Sequence, residues 1–187
     1  GKNKNTELKN AYHDYIFCMN RSYEVADYLA INISSPNTEG LRDLASDKFL
    51  EKLIYEISSE KKILKEKFLK NVPIFIKISP DENDKNLSHL IEISEDYGID
   101  GFIVSNTYIG EAKGISGGIS GSMLKERSLN MLKKVNSLRR KNSTLISSGG
   151  ISSKSDVKER MENGADLIQI YTSFVYKGPS ILEELVN

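Results

Sequence analysis

The chain has 187 residues, and its 26 Lys and Arg are balanced by 26 Asp and Glu, so its formal net charge is zero. This balance argues against nucleic acid or an anionic membrane surface as a partner of this segment. The single cysteine, Cys18, excludes an internal disulfide and provides no cysteine cluster for a metal. No stretch reaches the ~20 apolar residues of a membrane-spanning helix, and the first residues lack a signal-peptide core.

Short apolar runs alternate with amphipathic segments along the chain. Helical periodicity predicts helices over residues 11–21, 47–70, 83–97, 123–141, 153–163 and 180–186. Apolar runs predict strands that begin in segments 28–33, 75–81, 102–107, 145–150 and 167–172. Gly98 and Gly164 follow two of the helices at positions typical of helix ends. Alternating strands and helices indicate a parallel sheet with right-handed crossovers.

Polar side chains follow each predicted strand. The run 28–33 leads into Ser34 and Ser35, and Pro36 then ends the strand. Taken alone, this segment could be an ordinary Asn, Ser and Pro turn. Because the other four strands are followed by similar clusters, we expect a site at the carboxyl ends of the strands.

The distribution of these polar clusters also predicts the fold class. A doubly wound sheet would concentrate them at one switch point, whereas a (β/α)₈ TIM barrel places them after every strand. The sequence therefore favours an α/β TIM barrel. A whole barrel has eight strands and about 250 residues, so the five strands of this chain would form only part of one.

Six motifs in chain order strengthen this interpretation: NISSPNTEGLRDL, IKISPD, GIDGFIVSNT, GGISG, SSGGISS and GADLIQIYTSFVYKGP. Together they resemble the dihydroorotate dehydrogenases, specifically the quinone-linked class 2. The resemblance covers residues 1–187 and implies a partial FMN-binding barrel domain with strands four to eight. It implies that the first strands and the membrane-associated helices are absent, and that the chain is either a fragment or a truncated gene product.

The family resemblance implies oxidation of dihydroorotate to orotate in pyrimidine biosynthesis, with electrons passed through FMN to a quinone. Ser35 is the expected base, and Thr38 is a candidate to take its proton onward, since a serine hydroxyl alone is a poor base. Class 1 enzymes carry a cysteine at the second serine position, so Ser35 favours class 2. Alternatively, Ser34 and Ser35 merely cap a turn.

The resemblance also implies the remaining site residues. Amide and hydroxyl groups suit the alternating donors and acceptors of the substrate ring, and those expected to bind it are Asn32, Asn37, Asn106 and Thr107. Lys77, which alternation with neighbouring isoleucines places on the opposite face of its strand, would stabilise the reduced flavin. The residues expected to bind FMN are Asn32, Lys77, Ser105, Ser120, Gly121, Gly149, Gly150, Tyr171 and Thr172. The glycine-rich turns among them would hold its phosphate.

Two alternatives remain open from the sequence. A different FMN-dependent pyrimidine oxidoreductase could share the phosphate turns, but it would be expected to carry a cysteine in place of Ser35. A truncated, non-catalytic barrel fragment is the other alternative. Family members would lie peripherally on a bacterial inner membrane or a mitochondrial inner membrane, attached through a segment absent from this chain.

Overall fold

The computed structural model describes residues 1–35, 41, 45, 47–112 and 114–186. The helices are α1 (Ala11–Ser22), α2 (Asp47–Phe68), α3 (Asp84–Asp96), α4 (Lys125–Leu138), α5 (Lys154–Glu162), α6 (Thr172–Lys177) and α7 (Ile181–Val186). The strands are β1 (Leu29–Asn32), β2 (Ile74–Ile78), β3 (Gly101–Val104), β4 (Tyr108–Ala112), β5 (Ile115–Ile119), β6 (Thr144–Ser148) and β7 (Leu167–Gln169). Short 3₁₀ turns cover Leu8–Asn10 and Gly121–Leu124.

Five of the strands form one parallel sheet in the order β1-β2-β3-β6-β7. Every crossover contains a helix, as the alternation of strands and helices predicted. The pairing places Asn32 beside Lys77, and Lys77 beside Ile103. Because directly paired residues share a face of the sheet, these three side chains lie on one side. The predicted α/β class with a parallel sheet is confirmed.

The main core lies between the other face of this sheet and the helices. Ile74, Ile76 and Ile78 of β2 are fully buried there, with relative exposures of 0–1%. Their alternation directs Lys77 to the opposite face, as the sequence predicted. A second, small apolar cluster of Phe75, Ile103 and Ile146 lies on that opposite face.

The sheet is strongly curved. The Gln169 side chain of the last strand donates a 2.8 Å hydrogen bond to the Tyr28 hydroxyl, at the start of the first strand. In a flat sheet these strands would lie four spacings of about 4.8 Å apart, about 19 Å in all, which is too far for two side chains to bridge. The face that carries Lys77 is therefore concave.

The structure differs from the sequence-based prediction in the segment between β3 and α4. No strand was predicted between the segments 102–107 and 145–150, but β4 and β5 form an antiparallel hairpin that includes Gly117. Gly110 lies opposite Gly117 in this hairpin. Glycines weaken the alternating apolar signal of a strand, which explains why the sequence analysis missed the hairpin. The helix α6 was also not predicted, and the 3₁₀ turn takes up the start of the helix predicted at 123.

Within the described ranges, no helix combines the length and the apolar character needed to cross a membrane.

Candidate active site

Two strand ends that are far apart in sequence meet at the carboxyl edge of the sheet. The Asn106 side-chain amide donates to the Asn32 Oδ1 atom at 3.2 Å and to the Ser34 hydroxyl at 3.1 Å. The Ser34 hydroxyl also donates to Asn32 Oδ1 at 3.4 Å. We call Asn32, Ser34 and Asn106 the amide cluster. Asn32 and Asn106 were both predicted from the sequence as substrate-binding residues, and the fold brings them into contact.

Of the other residues predicted for catalysis or substrate binding, the structure describes Ser35 and Thr107. Ser35 directly follows the amide cluster and is half-buried. Thr107 is half-buried beside Asn106, and its backbone N–H donates to Asn106 Oδ1 at 2.8 Å. Asn37 and Thr38 lie outside the described residues, so their positions relative to Ser35 stay predictions.

Lys77 lies in the middle of β2, half-buried, on the same face as Asn32. Burial lowers the pKa of its ammonium group, because a low-dielectric environment disfavours the charged form. Among the described residues, no carboxylate lies within 4.0 Å of Lys77 and its ammonium group has no hydrogen-bond acceptor. A half-buried cation of this kind is suited to stabilise a ligand with negative charge.

A cavity of about 470 Å³ opens beside Lys77 at the carboxyl end of the sheet. It falls within the roughly 300–1,000 Å³ that is usual for small-molecule sites. The predicted cofactor residues that line it are Lys77, Ser105, Ser120, Gly121, Gly149, Gly150, Tyr171 and Thr172. Asn32 is not among its lining residues, but it is hydrogen-bonded to Asn106, which does line the cavity.

Three separate turns meet around this cavity: Ser120–Gly121, Gly149–Gly150 and Tyr171–Thr172, which we call the glycine cradle. The Thr172 hydroxyl donates to the Ser120 hydroxyl at 3.0 Å and thereby joins two of the turns. Gly150 has a left-handed φ of +71°, and a Cβ atom there would lie 2.5 Å from the Lys125 Cα atom. Only glycine therefore fits where this turn approaches α4.

Sequence reasoning missed several residues of the site. Gln169 and Lys177 also line the cavity. Gln169 is paired with Ser148, the residue before the Gly149–Gly150 turn. Because paired residues share a face of the sheet, this pairing could have identified Gln169 as a site residue. Arg160 lies buried beneath the Gly149–Gly150 turn, and no motif in the sequence pointed to it.

The groups around the cavity suit a flavin phosphate. Glycine N–H groups and the hydroxyls of Ser120 and Thr172 are phosphate donors, and Lys77 supplies a positive charge on the wall of the same cavity. The protein is thus of the α/β class, with a cavity at the carboxyl edge of a curved parallel sheet, which is where barrel enzymes carry their active sites.

Comparison with known proteins identifies the family. The family described as dihydroorotate dehydrogenase matches residues 1–187, and the chain belongs to this family, which is in general flavin-dependent. A protein of Aliivibrio salmonicida (strain LFI1238) named dihydroorotate dehydrogenase (quinone) is 40% identical over 194 residues, covering 100% of this chain and 58% of that protein. The protein of the same name from Halorhodospira halophila (strain DSM 244 / SL1) is 40% identical over 195 residues, covering 100% of this chain and 57% of its own length.

Solved structures agree with this assignment. The crystal structure of DHODH from Eimeria tenella in complex with ferulenol superposes with a TM-score of 0.90 at 33% identity, covering 99% of this chain and 54% of that one. The ligand-free type DHODH from the same organism gives a TM-score of 0.89 at 33% identity, covering 99% of this chain and 56% of that one. The chain thus spans somewhat more than half the length of the relatives that it matches.

Proposed function

We propose that this chain forms part of a dihydroorotate dehydrogenase that oxidises dihydroorotate to orotate with FMN as cofactor and a quinone as electron acceptor. The observation that carries the proposal is the cavity at the carboxyl edge of the sheet. Lys77 and the three turns of the glycine cradle come from distant parts of the sequence and line this one space. The names of the relatives support the choice of substrate and of quinone as acceptor.

The cofactor would be held through two kinds of contact. The glycine cradle would bind the phosphate of FMN through backbone N–H groups and through the hydroxyls of Ser120 and Thr172. Ser105, which is buried and lines the same cavity, and Asn32 would contact other parts of the flavin. Lys77 would stabilise the negative charge of the reduced ring, since a cation is most effective where water is scarce. When bound, FMN supplies the hydride acceptor.

The substrate would lie against the amide cluster. Asn32 and Asn106, together with Asn37 and Thr107, would hold the amide edges and the carboxylate of dihydroorotate. Ser35 would take the proton from C5 as general base and would pass it onward through Thr38. The hydrogen bonds of Ser34 support the choice of Ser35, rather than Ser34, as the base. The Ser34 hydroxyl is already bonded to both asparagine side chains of the amide cluster.

We also propose that the catalytic unit is a (β/α)₈ barrel. In it, further strands of the full-length protein would pair with the outer edges of β1 and β7. Within the described residues, each of these two strands pairs with a single neighbour. In this proposal the five strands would be strands four to eight, and their number and the curvature of the sheet are compatible with part of such a barrel. Peripheral attachment to a bacterial or mitochondrial inner membrane, where the quinone would be met, would belong to the full-length protein.

The test is a visible absorption spectrum of the full-length protein and of this chain alone, before and after anaerobic addition of dihydroorotate. We expect the full-length protein to show a flavin band that bleaches on addition of substrate. A yellow protein that dihydroorotate does not bleach would contradict the proposed substrate. A colourless full-length protein that FMN cannot reconstitute would contradict the proposed cofactor.

A further inference from the structure

Arg160 is a fully buried cation that the proposed chemistry does not use. Its relative exposure is 0%, and the buried residues of α5 are Asp156 and Arg160. The Arg160 Nη2 atom donates to the Lys125 carbonyl at 2.8 Å, to the Ser128 hydroxyl at 2.9 Å and to the Gly149 carbonyl at 3.1 Å. The helix is therefore joined to the base of the glycine cradle through polar contacts.

The direct partners of this guanidinium are neutral oxygens. Within the part of the chain that the structure describes, no carboxylate lies within 4.0 Å of Arg160, and its Nε atom has no acceptor. The nearby Asp156 carboxylate pairs with the Lys125 ammonium group and accepts from the Ser152 N–H at 2.9 Å. Burying a cation without an ion pair is costly. The hydrogen bonds of Arg160 to the glycine cradle must therefore either offset the free-energy cost of burying its charge or have a role other than stability.

These contacts determine the direction of one peptide group. The Gly149 carbonyl accepts from Arg160 and, at 2.8 Å, from the Ser128 hydroxyl. In a trans peptide the N–H points opposite to the C=O, so the Gly150 N–H points away from Arg160. Gly149 and Gly150 both line the cavity, and the described residues include no acceptor for the Gly150 N–H.

We propose that Arg160 is a positioning residue for the binding of a phosphate monoester. By holding the Gly149 carbonyl against α4, it fixes the Gly150 N–H as a donor directed into the cavity. The inference rests on the proposed function, in which the glycine cradle holds the phosphate of FMN. Arg160 itself acts from beneath the turn and touches the ligand only through the peptide that it orients.

The experiment compares FMN with riboflavin, which has the same ring and ribityl chain but no phosphate. In the full-length apoprotein, Arg160→Met should weaken FMN binding by about tenfold, the effect of losing one charge-assisted contact. Riboflavin affinity should stay at the wild-type value. Arg160→Lys should recover part of the FMN affinity, because an ammonium group can still donate to the Gly149 carbonyl.

Arg139→Met is the matched control. Arg139 also donates to backbone carbonyls, including that of Gly164 at 2.8 Å, but it does so at the opposite end of β6. This variant should lose stability while retaining its preference for FMN over riboflavin. Ser128→Ala removes the second donor to the Gly149 carbonyl and disturbs folding less, so it provides the test if Arg160→Met does not fold. It should weaken FMN binding by about threefold and leave riboflavin binding unchanged.

Two results would overturn the role of Arg160 while leaving the cofactor assignment intact. One is an equal loss of affinity for FMN and riboflavin in the Arg160 variants, or in Ser128→Ala where those do not fold. The other is unchanged FMN affinity in the same variants. Failure of the wild-type full-length protein to bind FMN would instead overturn the proposed function, and the inference with it.

Discussion

The two ends of the parallel sheet are built in opposite ways. At the amino end, two carboxylates accept hydrogen bonds from backbone N–H groups at the starts of strands. Asp100, which precedes β3, accepts the Ile74 N–H of β2 at 2.7 Å and forms an ion pair with Lys61. Asp166, which precedes β7, accepts the Leu145 N–H of β6 at 2.7 Å. Each of these carboxylates joins the starts of two adjacent strands.

At the carboxyl end, polar groups are left for a ligand. Burial of Lys77 is not offset by a carboxylate among the described residues, and these residues include no acceptor for the N–H of Gly150, which lines the cavity. A folded chain keeps unpaired polar groups at a cost. This difference is the one expected if the amino edge of the sheet stabilises the fold and the carboxyl edge keeps polar groups available for a ligand at a cost in stability.

The largest expected effect is at the carboxyl end. Ser35→Ala removes the hydroxyl of the proposed base, so the rate of flavin reduction by dihydroorotate should fall by about 10²–10⁴-fold in the full-length protein. FMN affinity and the free energy of unfolding should stay close to wild type. Stopped-flow absorbance measures the rate, and Ser122→Ala, at another serine of the cavity wall, is the control. A rate that Ser35→Ala leaves unchanged would reject Ser35 as base.

A smaller effect is expected at the amino end, and on stability alone. Asp100→Ala leaves the buried Ile74 N–H without its side-chain acceptor, which should lower the free energy of unfolding by about 2 kcal/mol. FMN affinity should not change. Urea unfolding provides the measurement, with Asp84→Ala as control, because the Asp84 side chain is 80% exposed and its ion pair with Lys134 should contribute little. Equal losses of unfolding free energy in Asp100→Ala and Asp84→Ala would contradict a stabilising role for the carboxylates at the amino end.

The smallest expected effect is a gain in stability, whereas Asp100→Ala is expected to cause a loss. Lys77→Met should raise the free energy of unfolding at pH 7 by about 1 kcal/mol, while it weakens FMN binding. Burial lowers the pKa of folded Lys77 below its ordinary value of 10.5, so the unfolded state binds more protons between these two values. Wild-type stability should therefore rise with pH across this window, and the gain from Lys77→Met should shrink. Urea unfolding at several pH values would show this, and a destabilised Lys77→Met would contradict it.

Regular elements of the fold could be predicted from the sequence because they depend on local signals. The buried alternation of Ile74, Ile76 and Ile78 was enough to assign β2 and the direction of Lys77. Gly98 and Gly164 correctly indicated the ends of α3 and α5, since both adopt positive φ directly after those helices.

What the sequence could not show depends on contacts between distant segments. Asp100 and Asp166 act on strands that lie more than 20 residues away along the chain, so no local pattern reveals them. The role of Arg160 likewise depends on how α5 packs beneath the Gly149–Gly150 turn. In the candidate site, motif resemblance suggested which residues would gather around one cavity, but not which hydrogen bonds would join them.

The hydrogen bond between Tyr28 and Gln169 has a consequence for the order of folding. It joins residues 141 positions apart, and it can form only when the strands between them have paired and curved. Closing so long a segment costs more entropy than any contact between adjacent strands. The environment of the Tyr28 ring therefore reports the last stage in the pairing of these five strands.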